Sequence, residues 1–442
     1  MLNKRFKLTA MMVAVVLAVG LTGCGQTTEP AASSTVASVE KSSEASSEAK
    51  PAESSEEESE ASSEEVAEPG IDTNKQYTIK EFEIPDTETY RMLRDMKVGW
   101  NLGNCFDANN CDSWISNEMD YETAWCGAKA TPELFATLKE AGFNTIRIPI
   151  SWHNHLTDKK NFTISEQWID RVQEVVDYCM AEDLYVIINI HHDNELEYMY
   201  PDKAHEAQSL RYVESIWTQV AKRFKDYDEK LLFESLNEPR MVGHNNEWWI
   251  DKNSQDCKDS IEVINHLNQK FVDVVRKTGG NNAHRYLVCP GYDAAPEGAC
   301  NAGFELPTDP VDNDSRIIIA IHSYSPYSFA LDVNGTSKWS SEDSRNKTEA
   351  IGFMNNLYEQ FVANGVPVII DEFGAVEKDG NLAERVDWAG FYVASARARG
   401  LTCVWWDNNV AKGNGERLGI IDRKSLQWSY PEIMEAIMNH CE

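Results

Sequence analysis

Positive charge is scarce in this 442-residue chain: 41 Lys and Arg stand against 72 Asp and Glu, a formal net charge of −31. So acidic a molecule repels polyanions, which excludes nucleic acid as a partner, whereas a neutral ligand meets no such barrier. About a third of the excess falls within residues 25–70, and the remainder of the chain is still acidic. Metal-ligand spacing is missing as well. Cys105, Cys111 and Cys126 crowd one stretch while the other cysteines scatter, and no paired zinc pattern results. Nor does a Gly-rich phosphate loop follow the first strand-like segment, which argues against a doubly wound nucleotide-binding sheet.

The two N-terminal stretches each lack something different. Lys4, Arg5 and Lys7 precede an apolar run over 8–20 that is too short to remain in a bilayer as a spanning helix, so it reads as a secretory signal. It ends in Leu21-Thr22-Gly23-Cys24, which resembles a bacterial lipobox. The expectation is a signal peptide over 1–23 and a lipid-bearing Cys24 as the mature N-terminus, a membrane anchor and the only one the sequence offers. Residues 24–70 then have almost nothing apolar to bury. Ser, Glu, Ala, Thr and Pro dominate, and Glu53, Glu56, Glu57, Glu58 and Glu60 repel one another, so the segment reads as a disordered tether. With Cys24 lipidated an odd number of cysteines remains, so at least one is expected to be free; Cys105–Cys111 or Cys111–Cys126 would be pairings within one loop.

Residues 71–442 have a different texture. Apolar, β-branched runs at 98–104, 145–150, 184–191, 231–237, 286–290, 317–324, 366–372 and 401–407 read as strands. Helical patterns at 131–141, 165–181, 209–227, 256–278, 348–364 and 382–399 separate most of them, with Pro132 as a start signal and Gly142 and Gly400 as stops. Only 293–315 lacks a clear helix. Eight strands in βα alternation predict an α/β fold, a closed parallel (β/α)8 barrel of the TIM type.

Polar residues cluster at the predicted strand ends, the end of such a barrel where chemistry is built. In order they are Asn101 and Asn104, Arg147, Asn189 with His191 and His192, Asn237 with Glu238, Tyr292 with Asp293, His322 with Tyr324, Asp371 with Glu372, and Trp405, Trp406 and Asp407. Strand alternation puts Asn189 with His191, and His322 with Tyr324, on shared faces. Two glutamates stand out. Glu238 ends the fourth strand and Glu372 the seventh, across the barrel from each other, each after apolar residues whose desolvation would raise a carboxyl pKa. Paired carboxylates about 5–5.5 Å apart are what hydrolysis of a glycosidic bond with retention requires, one giving and taking the proton and one attacking the anomeric carbon. Glu238 is expected to be the acid/base and Glu372 the nucleophile. His191 and His192 are not expected to hold a metal, because neighbours on a strand point apart and no third ligand has suitable spacing.

Seven motifs carry a resemblance: Gly99-Trp100-Asn101-Leu102-Gly103-Asn104, Arg147-Ile148-Pro149, Asn189-Ile190-His191-His192, Leu236-Asn237-Glu238-Pro239, His322-Ser323-Tyr324, Glu372-Phe373-Gly374 and Trp406-Asp407-Asn408. In this order and spacing the chain resembles glycoside hydrolase family five, and in detail its subfamily four of endoglucanases, xyloglucanases and lichenases. The resemblance implies an extracellular, monomeric, cofactor-free endo-β-1,4-glucanase, a cellulase acting on plant β-glucan through a covalent glycosyl-enzyme. It implies further that Arg147 bonds Glu372, Tyr324 donates to Glu372 and His322 sits beside Glu238. Asn237 would hold the sugar 2-hydroxyl, His191, His192 and Asn101 would bind substrate, and Trp406 would stack under the sugar. Trp100, Trp248, Trp249 and Trp405 are further candidates for sugar platforms or core. The cysteines of the first loop depart from the subfamily pattern where distal subsites would be shaped. Xyloglucanase or lichenase specificity is the alternative within the subfamily. A non-catalytic glycan-capturing surface lipoprotein is the alternative of another class, but a dead binder is expected to lose one of the paired glutamates, and both are present. One helix follows the eighth strand, so no carbohydrate-binding module is expected after the barrel.

Overall fold

The computed structural model describes residues 70–310 and 316–442; the signal peptide, Cys24 and all of the expected tether but Gly70 lie outside the described residues. Eight strands close into one barrel: β1 Val98–Leu102, β2 Thr145–Ile148, β3 Tyr185–Asn189, β4 Leu231–Glu234, β5 Leu287–Pro290, β6 Ile317–His322, β7 Val368–Phe373 and β8 Thr402–Asp407. Each pairs with its sequence neighbours, every pairing is parallel, and β8 closes on β1 with Leu102 opposite Asp407. Every residue of the eight barrel strands is buried, since helices cover the outer face and side chains fill the inner one, which is why these strands read as unbroken apolar runs.

Most of the outer helices lie close to where the sequence puts them: α2 Pro132–Ala141, α3 Glu166–Ala181, α4 Glu206–Arg223, α5 Gln255–Lys277, α7 Ser344–Gln360 and α8 Leu382–Arg397. Pro132 sits in the first turn of α2, and Gly142 ends it at φ 108°, a left-handed conformation that suits glycine. Helix α7 starts and stops a turn earlier than its apolar spacing suggests. The Asp343 side chain caps it by accepting from the Arg345 N–H, and a 3-10 turn over Val362–Asn364 follows. The helix expected after the eighth strand is α9 Pro431–Asn439; α1 Glu88–Asp95, capped by Thr87, the four-residue α6 Pro296–Ala299 and the single helical turn Tyr327–Ala330 were not in the predicted set. Among the described residues, no helix is long and apolar enough to cross a membrane.

Several strands end sooner than their apolar runs. β3 stops at Asn189 and β4 at Glu234, so His191, His192 and Glu238 lie on loops beyond the strands and are not bound to strand alternation. At the opposite, N-terminal end of the barrel, Arg285 is fully buried just before β5. It donates to the carbonyls of Phe224, Tyr227, Asp228 and Leu231 and to Asn282 Oδ1, tying the C-terminal end of α4 to the start of β4. All nine described cysteines are free, so neither pairing foreseen for the first loop forms; the thiols that meet are those of Cys105 and Cys126, hydrogen-bonded to each other.

Candidate active site

Arg147 organises the mouth of the barrel. Its guanidinium has no exposed surface, and all five N–H groups have partners. Nε and Nη2 form a fork on Glu234 at 2.6 and 2.7 Å, Nη1 donates to Glu372 Oε1 at 2.7 Å and to Asn101 Oδ1 at 3.0 Å, and Nη2 also donates to Asn237 Oδ1 at 2.8 Å. The other oxygen of Glu372 accepts from Tyr324 Oη at 3.0 Å. Burial pushes the Glu372 carboxyl up, against the pull of His322 and Arg147. Burial likewise drives the Tyr324 phenol far up, reinforced by the Glu372 charge, so the hydroxyl stays a donor.

Glu238 lies opposite. Its Oε1 contacts His322 Nδ1 at 2.8 Å and its Oε2 meets Arg240 Nη1 at 3.0 Å, with the side chain 21% exposed at the mouth. One oxygen of Glu238, one of Glu372 and a ring nitrogen of His322 fall within 4.8 Å of one another. The sequence led us to expect a raised pKa for both glutamates, and for Glu238 the structure reverses that. Burial does act to raise it, but the His322 hydrogen bond and the charge of Arg240 outweigh burial and hold it below the usual range. The complementary shift is on His322. Burial opposes its cation, yet Glu372, the bond to Glu238 and Asp371 together bring it up to about 9. In the free site the proton of this pair therefore rests on the imidazole.

Asn101 is corrected by its surroundings. It has no exposed surface, and its amide is used up by Arg147 and by the carbonyls of Asp371, Val404 and Trp405, so it braces Arg147 from inside the barrel and has no polar atom left for a sugar. Arg147 is equally enclosed and acts through Glu372 and Asn237. His191 Nδ1 accepts from the Asn189 side-chain amide N–H at 3.1 Å, and its ring lies parallel to that of Trp406 at 3° and 5.7 Å. Trp406 is 8% exposed, near the end of β8. A Cβ at Gly103 would come within 2.8 Å of its ring, so only glycine there lets the indole lie in place. Trp100 and Trp405 are fully buried core, under Arg423 and against Phe373 respectively, whereas Trp248 and Trp249 are 60% and 50% exposed.

His191 and His192 both lie past the end of β3 at Asn189, so strand alternation does not set them apart as expected. Their rings meet edge to face at 4.4 Å, and Asp107 joins them as a third potential ligand within 4.8 Å. Asp107 is committed elsewhere, since its two oxygens accept from the backbone N–H of Asn104 and Cys105. Burial lowers His192 to about 4 and His191 well below its usual range, so both rings are neutral and suited to hydroxyl groups. Residues the sequence did not single out are Glu234, Arg240, Asp107 and Trp125, whose ring is 5.9 Å from that of His192; Asp293 and Asp371 stood at strand ends without a role. Arg240 also covers Trp248, at 4.2 Å from its ring centre, so one exposed aromatic packs on the arginine paired with Glu238 and another, Trp125, beside His192.

Comparison with known proteins agrees with this geometry. The model of the cellulase family, glycosyl hydrolase family 5, matches residues 106–412. The chain is 39% identical over 354 residues to the cellulase/esterase CelE of Acetivibrio thermocellus, covering 80% of this chain but only 40% of that longer protein. The structure is similar to that of a family 5 lichenase from a Caldicellulosiruptor species, with 52% identity, a TM-score of 0.82 and coverage of 83% of this chain and 99% of that one. It is similar also to a broad-specificity, subfamily-four endoglucanase from Ruminococcus champanellensis with bound cellotriose, at 41% identity, a TM-score of 0.73 and coverage of 81% and 100%. With eight parallel strands closed into a barrel and two facing glutamates at its mouth, the chain belongs to the cellulases of glycosyl hydrolase family 5.

Proposed function

We propose that this protein is a retaining endo-β-1,4-glucanase in which Glu372 attacks the anomeric carbon and Glu238 handles the proton. The observation that carries the reading is the approach of the two carboxylates, with oxygens within 4.8 Å. Retention wants carboxyl groups about 5–5.5 Å apart, whereas inversion needs roughly 6.5–9.5 Å to admit a water. Glu372 is held in attacking position by Arg147 on one oxygen and Tyr324 on the other. As it attacks, Glu238 delivers a proton to the departing glycosidic oxygen; a water then enters, Glu238 removes its proton, and the glycosyl–Glu372 ester is cleaved with net retention. The Asn237 amide, its oxygen fixed by Arg147, presents N–H groups to the sugar 2-hydroxyl. Trp406 stacks below the sugar, His191 and His192 bond its hydroxyls as neutral rings, and Trp125 and Trp248 extend the cleft to either side.

Mixed-linkage glucan is a substrate beside cellulose in this reading, as suits the resemblance to a lichenase and to a broad-specificity endoglucanase. Lipidation at Cys24 would hold the enzyme on the cell surface, the place for a hydrolase of polymers too large to enter. Chemical rescue tests the two roles. Glu372→Ala should lose turnover of glucan and, with azide and an activated aryl cellobioside, give the inverted glycosyl azide. Glu238→Ala with azide should give the retained one, because azide then intercepts the covalent intermediate. Identical stereochemistry from both variants would overturn the assignment.

A further inference from the structure

Four carboxylates and two cationic side chains meet inside the upper barrel. Glu372 and Glu238 belong to the proposed chemistry, and Glu234 is matched by the fork from Arg147 and a bond from Asn189. Asp371 is different. It has no exposed surface, and neither side-chain oxygen has a hydrogen-bond partner. Its nearest opposite charges are His322 Nε2, 3.5 Å from Oδ1, and Arg147 Nε, 3.8 Å from Oδ2. His322 Nε2 is itself buried and without a hydrogen bond, so two orphaned polar atoms face each other in the barrel. A buried carboxyl in that condition is costly compared with any small apolar residue, and nothing in the packing of β7 requires it.

The backbone is shaped to admit it. On both flanks of β7 the register shifts, between Ile321 and His322 of β6 and between Cys403 and Trp405 of β8. Such irregularities re-aim side chains, and here they let two consecutive residues, Asp371 and Glu372, both reach the charged cluster. The groups facing Asp371 are Arg147 from β2, Glu234 from β4, His322 from β6 and the adjoining Glu372. Those facing His322 are Glu238 from the loop after β4, Asp371 and Glu372 from β7, with His191 after β3 and Asp293 after β5 next in range.

We propose that Asp371 is a positioning residue that keeps His322 protonated and so holds, one hydrogen bond away, the proton that Glu238 gives to the leaving group. This rests on the roles assigned above. In the free enzyme imidazolium and carboxylate face each other at 2.8 Å. When substrate excludes water, the proton crosses from His322 Nδ1 to Glu238 Oε1 and then passes to the glycosidic oxygen, leaving a neutral ring with its remaining proton on Nε2, 3.5 Å from Asp371 Oδ1. In the second half Glu238 takes a proton from the attacking water and returns it to Nδ1, so the cycle closes with no net change. Burial, then Glu234, raises Asp371 to about 7, while His322 stands near 9. Between those values Asp371 is ionised and the pair still carries its proton. Loss of the pair's proton above that window sets the alkaline limb of activity.

Asp371→Asn removes the charge and keeps the shape. On cello-oligosaccharides the alkaline limb of kcat/KM should move down by about 1–3 pH units, the size of a neighbouring-charge effect. On a dinitrophenyl cellobioside, whose leaving group needs no proton, the limbs of wild type and variant should coincide. An unmoved limb on the oligosaccharide, or an equal shift on both substrates, overturns the proposal. A direct measurement covers the case in which the variant does not fold. In the wild-type chain, NMR titration of the His322 ring nitrogens should place its pKa well above the ordinary 6.5, and a value at or below 6.5 overturns the proposal. That titration does not depend on which glutamate is the acid, whereas azide rescue reads only the glutamates, so the two ideas fail separately.

Discussion

Replacing Arg147 by Met should damage stability and chemistry at once, in amounts set by its partners. The side chain would lose five charge-assisted or polar bonds, and Glu234 and Glu372 would be left buried without a cation. Breaking a buried ion pair from one side costs about 3–5 kcal/mol, chiefly from the stranded charge. For a domain this large that corresponds to a fall of roughly 4–6 °C in Tm. The Glu372 carboxyl, already raised by burial, loses one of the charges that pull it down and should rise further. A nucleophile must be ionised, so the acid limb of kcat/KM should move to higher pH while the alkaline limb stays. Differential scanning calorimetry at two pH values with a pH–rate profile would measure both effects. The stranded-charge account adds a sharper requirement: Arg147→Met combined with Glu234→Leu should be more stable than Arg147→Met alone, because the second change removes the carboxylate the first left unpaired. A double variant no more stable than the single one, or an acid limb that does not move, would refute the account of the cluster.

Asp371 should also leave a signature in stability. Its folded-state pKa of about 7 lies above the unfolded value of 3.8, so the folded state holds its proton more tightly and loses that advantage as pH rises through 7. Asp371→Asn should therefore gain on wild type in Tm between about pH 4 and pH 8, and a gap independent of pH would contradict a raised carboxyl. Cys126 is held down by its hydrogen bond with Cys105 and, against burial, by the charge of Arg423, while burial raises Cys300, the other half-exposed thiol, to about 11. Iodoacetamide at pH 7 should thus label Cys126 first among the described cysteines, and Cys105→Ala should slow that labelling; peptide mapping that finds Cys300 ahead would count against the contact. Finally, Cys24→Ala should release active enzyme into the medium, and a variant still fully cell-bound in a fractionation assay would show that the anchor lies elsewhere.

The barrel and its axis of chemistry were legible because strands buried on both faces write themselves as apolar runs, and each run ended in residues too polar to be core. Glu372, Tyr324, His322 and Asn237 lie where those endings put them. Glu234 was not legible. It sits inside the run 231–237 and looks like one more strand residue, and its reason for being there, Arg147 on β2, is two strands away and reached only through barrel closure. Alternation along a strand also misled where the strand had already ended: His191 and His192 were set apart by a pleat that stops at Asn189. Asn101 looked like a cleft residue from its motif, but only the three-dimensional count of its four bonds shows that nothing is left over. Helix α1 escaped notice because eight residues are too few for a period to declare itself, and its cap, Thr87, is a common residue in any loop.

Arg147 and Arg285 are buried guanidiniums at opposite ends of one barrel, and the distance between them separates two properties an engineer would want to tune independently. Around Arg285 every acceptor but Asn282 is a main-chain carbonyl, so its surroundings are indifferent to which side chains flank it. The floor of the barrel is accordingly where durability can be raised by substitution without touching the mouth. A library confined to residues 224–231 and 279–287 would vary how long the enzyme lasts, and one confined to the loops around Trp125 and Trp248 would vary what it accepts.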